Sequence, residues 1–142
     1  MTLTISTSDS VSSILTHVKK ALPESYVESD RMFDCCTIID EFHANMRHHV
    51  AKGDEAFRWW LGVDHQGGVI RLTFQYTGPC FDPTQVRDIM PQSIEHRRIG
   101  GLGLALISQL SDRIDYSYHS GVNTLSVDVN TVEFPKEDES CL

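Results

Sequence analysis

The chain has 142 residues, 40% of them hydrophobic and 23% charged, with a formal net charge of −8. This fits one globular domain large enough to bury its own core; the acidic balance argues against sequence-independent DNA binding, which needs clustered Lys and Arg, and permits a basic protein partner. No apolar run approaches the roughly eighteen residues of a membrane span, Met1 to Ile5 lacks the features of a secretory signal, and the four cysteines show no Cys-x-x-Cys spacing, so a reduced, cytoplasmic protein is expected.

In chain order, Leu3 to Ser6 alternates as a short strand. Ser8 or Asp9 is suited to cap a helix whose apolar stripe is Val11, Ile14, Leu15, Val18 and Leu22, and Pro23 ends it. Asp30 is the expected N-cap of a long helix running to about Lys52, with Gly53 as its stop. Phe57 to Val63 and Val69 to Tyr76 are predicted strands joined by a turn over His65-Gln66-Gly67-Gly68. The stretch from Thr84 to Arg98 has no sustained periodicity. After it come a glycine-preceded helix and a second hairpin, Arg113 to His119 and Val122 to Val129, across Ser120-Gly121. Residues 1–132 therefore make one domain, and the polar, acidic residues 133–142 are expected to be a disordered tail. Hairpins rather than regular strand–helix alternation connect the strands. The predicted class is thus α+β, a two-layer α/β sandwich with a mostly antiparallel sheet and helices on one face.

Chemistry concentrates on the long helix. At about 100° per residue, Glu41, Asn45 and His48 fall within a stripe about 60° wide, while Ile38, Ile39, Phe42, Met46 and Val50, with Cys35, occupy the adjoining face. One side of this helix is core and its edge carries a carboxylate, an amide and an imidazole. The spacings within His43, His48 and His49 do not pair two imidazoles on a helix face, and His49 is expected to be a partly buried, hydrogen-bonded core residue. Trp59 and Trp60 alternate on a strand, so one ring is core and the other lies at the surface, without the sequence saying which. Cys35 and Cys80 have no partner at a spacing that would activate them as nucleophiles.

Further along, Arg97-Arg98-Ile99-Gly100-Gly101-Leu102-Gly103-Leu104 runs into the apolar stretch Ala105 to Leu110. Glycines directly before a helix allow close backbone approach and leave amide donors at a positive helix terminus, an arrangement suited to phosphate. Between the two features lies Gln75-Tyr76-Thr77-Gly78-Pro79-Cys80-Phe81-Asp82-Pro83, a strand end followed by a Gly/Pro loop.

These pieces, in this order, resemble the histidine-kinase-like ATPase (GHKL) superfamily, and within it the bacterial anti-sigma-factor serine/threonine kinases that phosphorylate STAS-domain antagonists. Glu41 and Asn45 match a Glu-x-x-x-Asn box, with His48 matching a histidine after it. Gly78 with Phe81-Asp82-Pro83 matches the loop beyond the adenine-contacting residue, and Gly101 to Leu104 matches the second glycine box. Gly121-Val122-Asn123-Thr124-Leu125 resembles the final turn and strand. The resemblance implies ATP and Mg²⁺ as cofactors, with Asn45 as metal ligand, Glu41 as general base, and His48, Tyr76, Gly78, Gly101, Gly103 and Thr124 at the nucleotide. It also implies a lid over the nucleotide around 84–98, from which Arg97 and Arg98 either reach the γ-phosphate or serve as plain surface charge. The implied partners are a STAS-domain antagonist and a sigma factor, and a homodimer is also open.

One departure qualifies the match. The family pattern Asp-x-Gly-x-Gly, aligned on Gly78, has Tyr76 in place of the Asp that contacts adenine, and Cys80 in place of the second glycine. Losing a hydrogen bond to a charged acceptor costs about 1.5–3 kcal/mol, so a ten- to hundred-fold loss of affinity for adenine is expected. Two functional readings follow. One is an anti-sigma-factor-type kinase with impaired adenine recognition. The other is a catalytically silent partner-switching module that binds nucleotide weakly or not at all.

Overall fold

The computed structural model describes residues 1–81 and 105–132. The elements are strand β1 (Thr2–Ser6), helices α1 (Val11–Lys20), α2 (Glu24–Val27) and α3 (Met32–Asn45), a π-helix (Met46–Ala51), strands β2 (Arg58–Gln66) and β3 (Val69–Thr77), helical residues 105–110 (α4), and strands β4 (Arg113–His119) and β5 (Val122–Asn130). The lid segment and the acidic tail expected from the sequence lie outside the described residues.

The five strands form one sheet in the order β1-β2-β3-β5-β4, every pairing antiparallel. Because side chains alternate across a strand, each strand divides into an inward and an outward set. Ile5, Trp59, Leu61, Val63, Ile70, Leu72, Phe74, Tyr76, Leu125, Val127 and Val129 point one way and are buried in a single core with Ile14, Val18, Ile38, Ile39, Phe42, Met46 and Ile107 of the helices. The other face carries Thr4, Trp60, Arg71, Thr73, Gln75, Thr124, Ser126 and Asp128. Helices therefore cover one face of the sheet, the α+β two-layer arrangement. Trp59 is the core tryptophan and Trp60 the outer one.

Several boundaries differ from the sequence expectation, each for a local reason. Ser10, not Ser8 or Asp9, caps α1, its hydroxyl accepting from the Ser13 amide at 3.1 Å. Asp9 is instead engaged by the Ser6 amide at 2.9 Å. Gly67 and Gly68 both have positive φ, 57° and 83°, as a two-residue type I′ turn requires. His65 and Gln66 thus remain in the ladder, opposite Ile70 and Val69. At the start of α3 the cap position is Arg31, without a side-chain cap, rather than Asp30. Arg31 is committed elsewhere: its guanidinium donates to Asp34 at 2.7 Å, Asp112 at 3.0 Å, and the carbonyls of Asn130 at 3.1 Å and Leu110 at 2.7 Å. This joins α3 to the end of α4 and to the base of the β4–β5 hairpin, and puts a cation on a helix C-terminus, where it is favoured.

The largest difference is in the long helix, which is α-helical only to Asn45 and continues as a π-helix to Ala51. A π-turn brings residues five apart into line. That register buries both Met46 and Ala51, while Val50, on the core face by α-helical counting, is only partly buried. The chain leaves this segment through Lys52 and Gly53, both at positive φ. No helix among the described residues is long and apolar enough to cross a membrane.

One buried polar link fastens α3 to the sheet. The Trp59 Nε1–H, which can only donate, lies 3.2 Å from His43 Nδ1, and His43 Nε2 lies 2.9 Å from the Asp9 carbonyl. His43 is therefore the neutral tautomer with its proton on Nε2, donating to Asp9. Burial, the largest influence, lowers its pKa below the usual 6.5. The unfolded chain then takes up a proton more readily than the folded one, so this group's contribution is intact above pH 6.5 and is lost as pH falls from there toward the lowered folded value. His43→Leu should cost about 2–3 kcal/mol at pH 7.5, by losing both bonds and stranding the indole N–H. The deficit should shrink at pH 5.5, where the wild type has lost part of its advantage; urea unfolding midpoints at the two pH values measure it.

Candidate functional site

Phe42 fixes the edge of α3 that carries the predicted chemistry. Its ring packs at 4.2 Å from Phe74, 5.0 Å from Trp59 and 5.6 Å from Tyr76, centroid to centroid. With Phe42 locked onto the sheet, Glu41 and Asn45 fall at the border of the core. Asn45 is 3% exposed. Its Nδ2 donates to the Glu41 carbonyl at 2.7 Å, and because a carbonyl can only accept, this bond fixes which end of the amide is which. The oxygen that remains, Oδ1, is buried and has no hydrogen-bond partner among the described residues. Most buried polar atoms are paired, so an orphaned oxygen calls for an explanation such as strain, a water or an ion. A hard amide oxygen suits Mg²⁺, which takes few protein ligands and retains water.

Glu41, one turn earlier, is half-buried. Burial, reinforced by neighbouring Asp40, raises its pKa above the usual glutamate value. A carboxylate held in its less favourable charged form is a better proton acceptor, the property wanted of a general base.

His48 is exposed and lies in the π-helix. Each residue of a π-helix advances through a smaller angle than in an α-helix, so the stripe drawn through Glu41, Asn45 and His48 does not continue past Asn45. His49 departs from its expected role as a hydrogen-bonded core residue, since its Nε2 is buried and without a partner among the described residues.

In the facing sheet, β3 and β5 pair Tyr76 with Asn123, both wholly buried on the helix side. The Tyr76 hydroxyl donates to the Phe81 carbonyl at 2.7 Å. Asn123 Nδ2 donates to the carbonyls of Tyr76 and Pro79, each at 3.2 Å, while its Oδ1 accepts from the Phe81 amide at 3.0 Å and from the Tyr116 hydroxyl. Gly78, with φ of 124°, makes the bend after β3; its amide donates to Gly121 at 3.1 Å and its carbonyl accepts from the Tyr118 hydroxyl at 3.0 Å. The loop 78–81 is thus fastened to the β4–β5 hairpin. Asn123 lies within the predicted strand Val122 to Val129 and was not singled out there, because its partners are far away in the chain. Its signal was its register opposite Tyr76.

Thr124, expected at the nucleotide, stands on the outer face of the sheet, where its hydroxyl accepts from Gln75 Nε2 at 3.3 Å. Strand alternation requires this: if Asn123 points to the helices, Thr124 cannot. Gly101, Gly103, Arg97 and Arg98 lie outside the described residues. Cys35 is buried, its thiol pushed up to about 12 by desolvation, which makes it inert, and Cys80 is exposed in the loop.

Two outcomes check this arrangement. Asn123→Ala should destabilise the protein by about 2–4 kcal/mol, because its partners lose bonds in a buried setting; denaturant unfolding reads it. Glu41→Gln should be neutral or stabilising at pH 7, since it removes a carboxylate whose charged form is penalised. That gain should fade as pH falls through the raised folded value to below the ordinary 4.5, where the wild-type carboxyl is protonated in both states; melting temperatures across pH 4–8 test the sign.

A family profile described as a histidine kinase-like ATPase domain matches residues 5–129. No curated protein matches the chain. The matched range runs from β1 to the last residues of β5 and takes in Glu41, Asn45, Tyr76 and Asn123, and the five-stranded antiparallel sheet backed by helices is consistent with the fold of that family. The chain belongs to the histidine kinase-like ATPase domain family.

Proposed function

We propose that this protein is an anti-sigma-factor-type regulator whose ATPase-like site keeps its magnesium–phosphate end and has lost its adenine anchor. The observation that carries the proposal is the buried, unpartnered Oδ1 of Asn45, held in place by the Glu41 carbonyl. A packing role alone gives no reason to bury an amide and leave its oxygen unpaired, whereas a metal ligand must present such an oxygen. In this proposal Asn45 would hold Mg²⁺, and the glycine box at Gly101 and Gly103, by resemblance, would add backbone donors to the phosphates. Mg·ATP, when bound, would supply the phosphoryl group. Glu41 accepts the proton of a serine hydroxyl on a STAS-domain antagonist, its raised pKa favouring that role. A sigma factor is the second proposed partner, and the site is proposed to act in a reduced cytoplasm.

One observation favours a second reading, a silent partner-switching module. Tyr76 is wholly buried against Phe42 and bonded to the loop, so position 76 offers no carboxylate to an adenine amino group. Calorimetric titration with Mg·ATP, paired with radiolabel transfer from ATP to a purified STAS-domain antagonist, separates the two. For the kinase, Glu41→Gln should abolish transfer with binding kept within about threefold, because a general base acts in the chemical step. Asn45→Ala should weaken Mg²⁺-dependent binding by at least about tenfold, because a metal ligand acts in the bound state. Absence of transfer by the wild type, with partner binding untouched by either substitution, would establish the silent module instead.

A further inference from the structure

The proposed site is polarised. At the α3 end one buried oxygen is unsatisfied. At the β3–β5 end the side-chain and loop donors around Asn123, among the described residues, are already spent on the protein itself. An Asn side chain offers two donors and two acceptor positions, and Asn123 uses all four, on the carbonyls of Tyr76 and Pro79, the Phe81 amide and the Tyr116 hydroxyl. The Tyr76 hydroxyl proton goes to the Phe81 carbonyl, and that of Tyr118 to the Gly78 carbonyl. Both polar groups of Gly78 are occupied in this way, its amide by Gly121. A base that offered an acceptor to these donors would have to displace an internal bond for each one it made, and position 76 holds no carboxylate to receive a base amino group. Such an exchange yields no net gain and gives no purchase for telling one base from another.

Resting on the function proposed above, we infer that this protein recognises its ligand by the magnesium-bound phosphate chain and not by the base. Nucleoside triphosphates are then taken without regard to their base, and inorganic tripolyphosphate is taken with them. The discrimination that a carboxylate at position 76 would supply is replaced by a Tyr–Asn network that closes on the loop 78–81. Asn45, the residue with an unspent oxygen, carries the specificity, and that specificity is for the metal–phosphate group.

The test is calorimetric titration of the full chain with ATP, GTP, CTP and inorganic tripolyphosphate, each at the same free Mg²⁺ concentration. The four dissociation constants should agree within about threefold, the scale of unexploited neutral hydrogen bonds. All four should weaken by at least about tenfold in Asn45→Ala, with circular dichroism confirming that the variant is folded. ATP binding more than about tenfold tighter than both GTP and tripolyphosphate would overturn base-blind recognition and leave the magnesium–phosphate proposal standing. If none of the four binds, as checked independently by equilibrium dialysis, both this inference and the nucleotide part of the proposed function fail. The comparison rests on the wild-type chain, so it holds even if the Asn45 variant is unstable.

Discussion

The seating of Phe42 between Trp59, Phe74 and Tyr76 is the contact on which the rest of the arrangement depends. Aromatic rings bury large areas and prefer tilted or edge-on contacts, so a cluster of four rings fixes the rotation of a helix about its own axis as well as its distance from the sheet. With that rotation set, residue 41 lies at the border of the core and residue 45 just beneath it. The His43 bridge from Trp59 to the Asp9 carbonyl adds a polar constraint on the same turn and ties the β1–α1 loop to the helix. At the other end of α3, Arg31 gathers the end of α4 and the base of the β4–β5 hairpin. The helix bearing the functional edge is therefore held at both ends and along its buried face, which suits a site that must present fixed ligands.

The two layers, at Asn45 of α3 and at Asn123 of β5, obey the same rule of polar satisfaction with opposite outcomes. Around Asn123 each donor and acceptor finds an internal partner, and the result is a rigid loop. At Asn45 one acceptor is left over in a setting where water is excluded. In the function proposed above, that oxygen is where a ligand would bind. The contrast explains why the substitution at position 76 need not disable the whole site. The tyrosine changes how one end is filled, and the metal-binding role proposed for Asn45 belongs to the other.

Much of this was legible in the sequence. Hydrophobic periodicity, turn glycines and the order of elements gave the α+β class, the helix-covered face and both hairpins, because these follow from local patterns with periods of 3.6 and 2 residues. The Glu41–Asn45 spacing is also local and survived into the structure, the two residues being joined by a hydrogen bond within one helix turn. The limits of local counting appeared where the helix changes type. Extending α-helical periodicity beyond Asn45 put His48 on the stripe of Glu41 and Asn45, and the segment that carries it is a π-helix instead.

The sequence by itself determined the family-level architecture and named the helix edge where chemistry would sit, since a repeating pattern of apolar residues specifies which face is buried whatever it is buried against. Only the tertiary structure decided which tryptophan is core, that Thr124 faces away from the helices, that Asn123 and not Thr124 stands opposite Tyr76, and that Arg31 rather than Asp30 begins α3. These are matters of strand register and of contacts between residues far apart in the chain. A one-residue change of register exchanges the two faces of a strand, and register is set by the partner strand and the packed layer above it, neither of which is written in the local sequence.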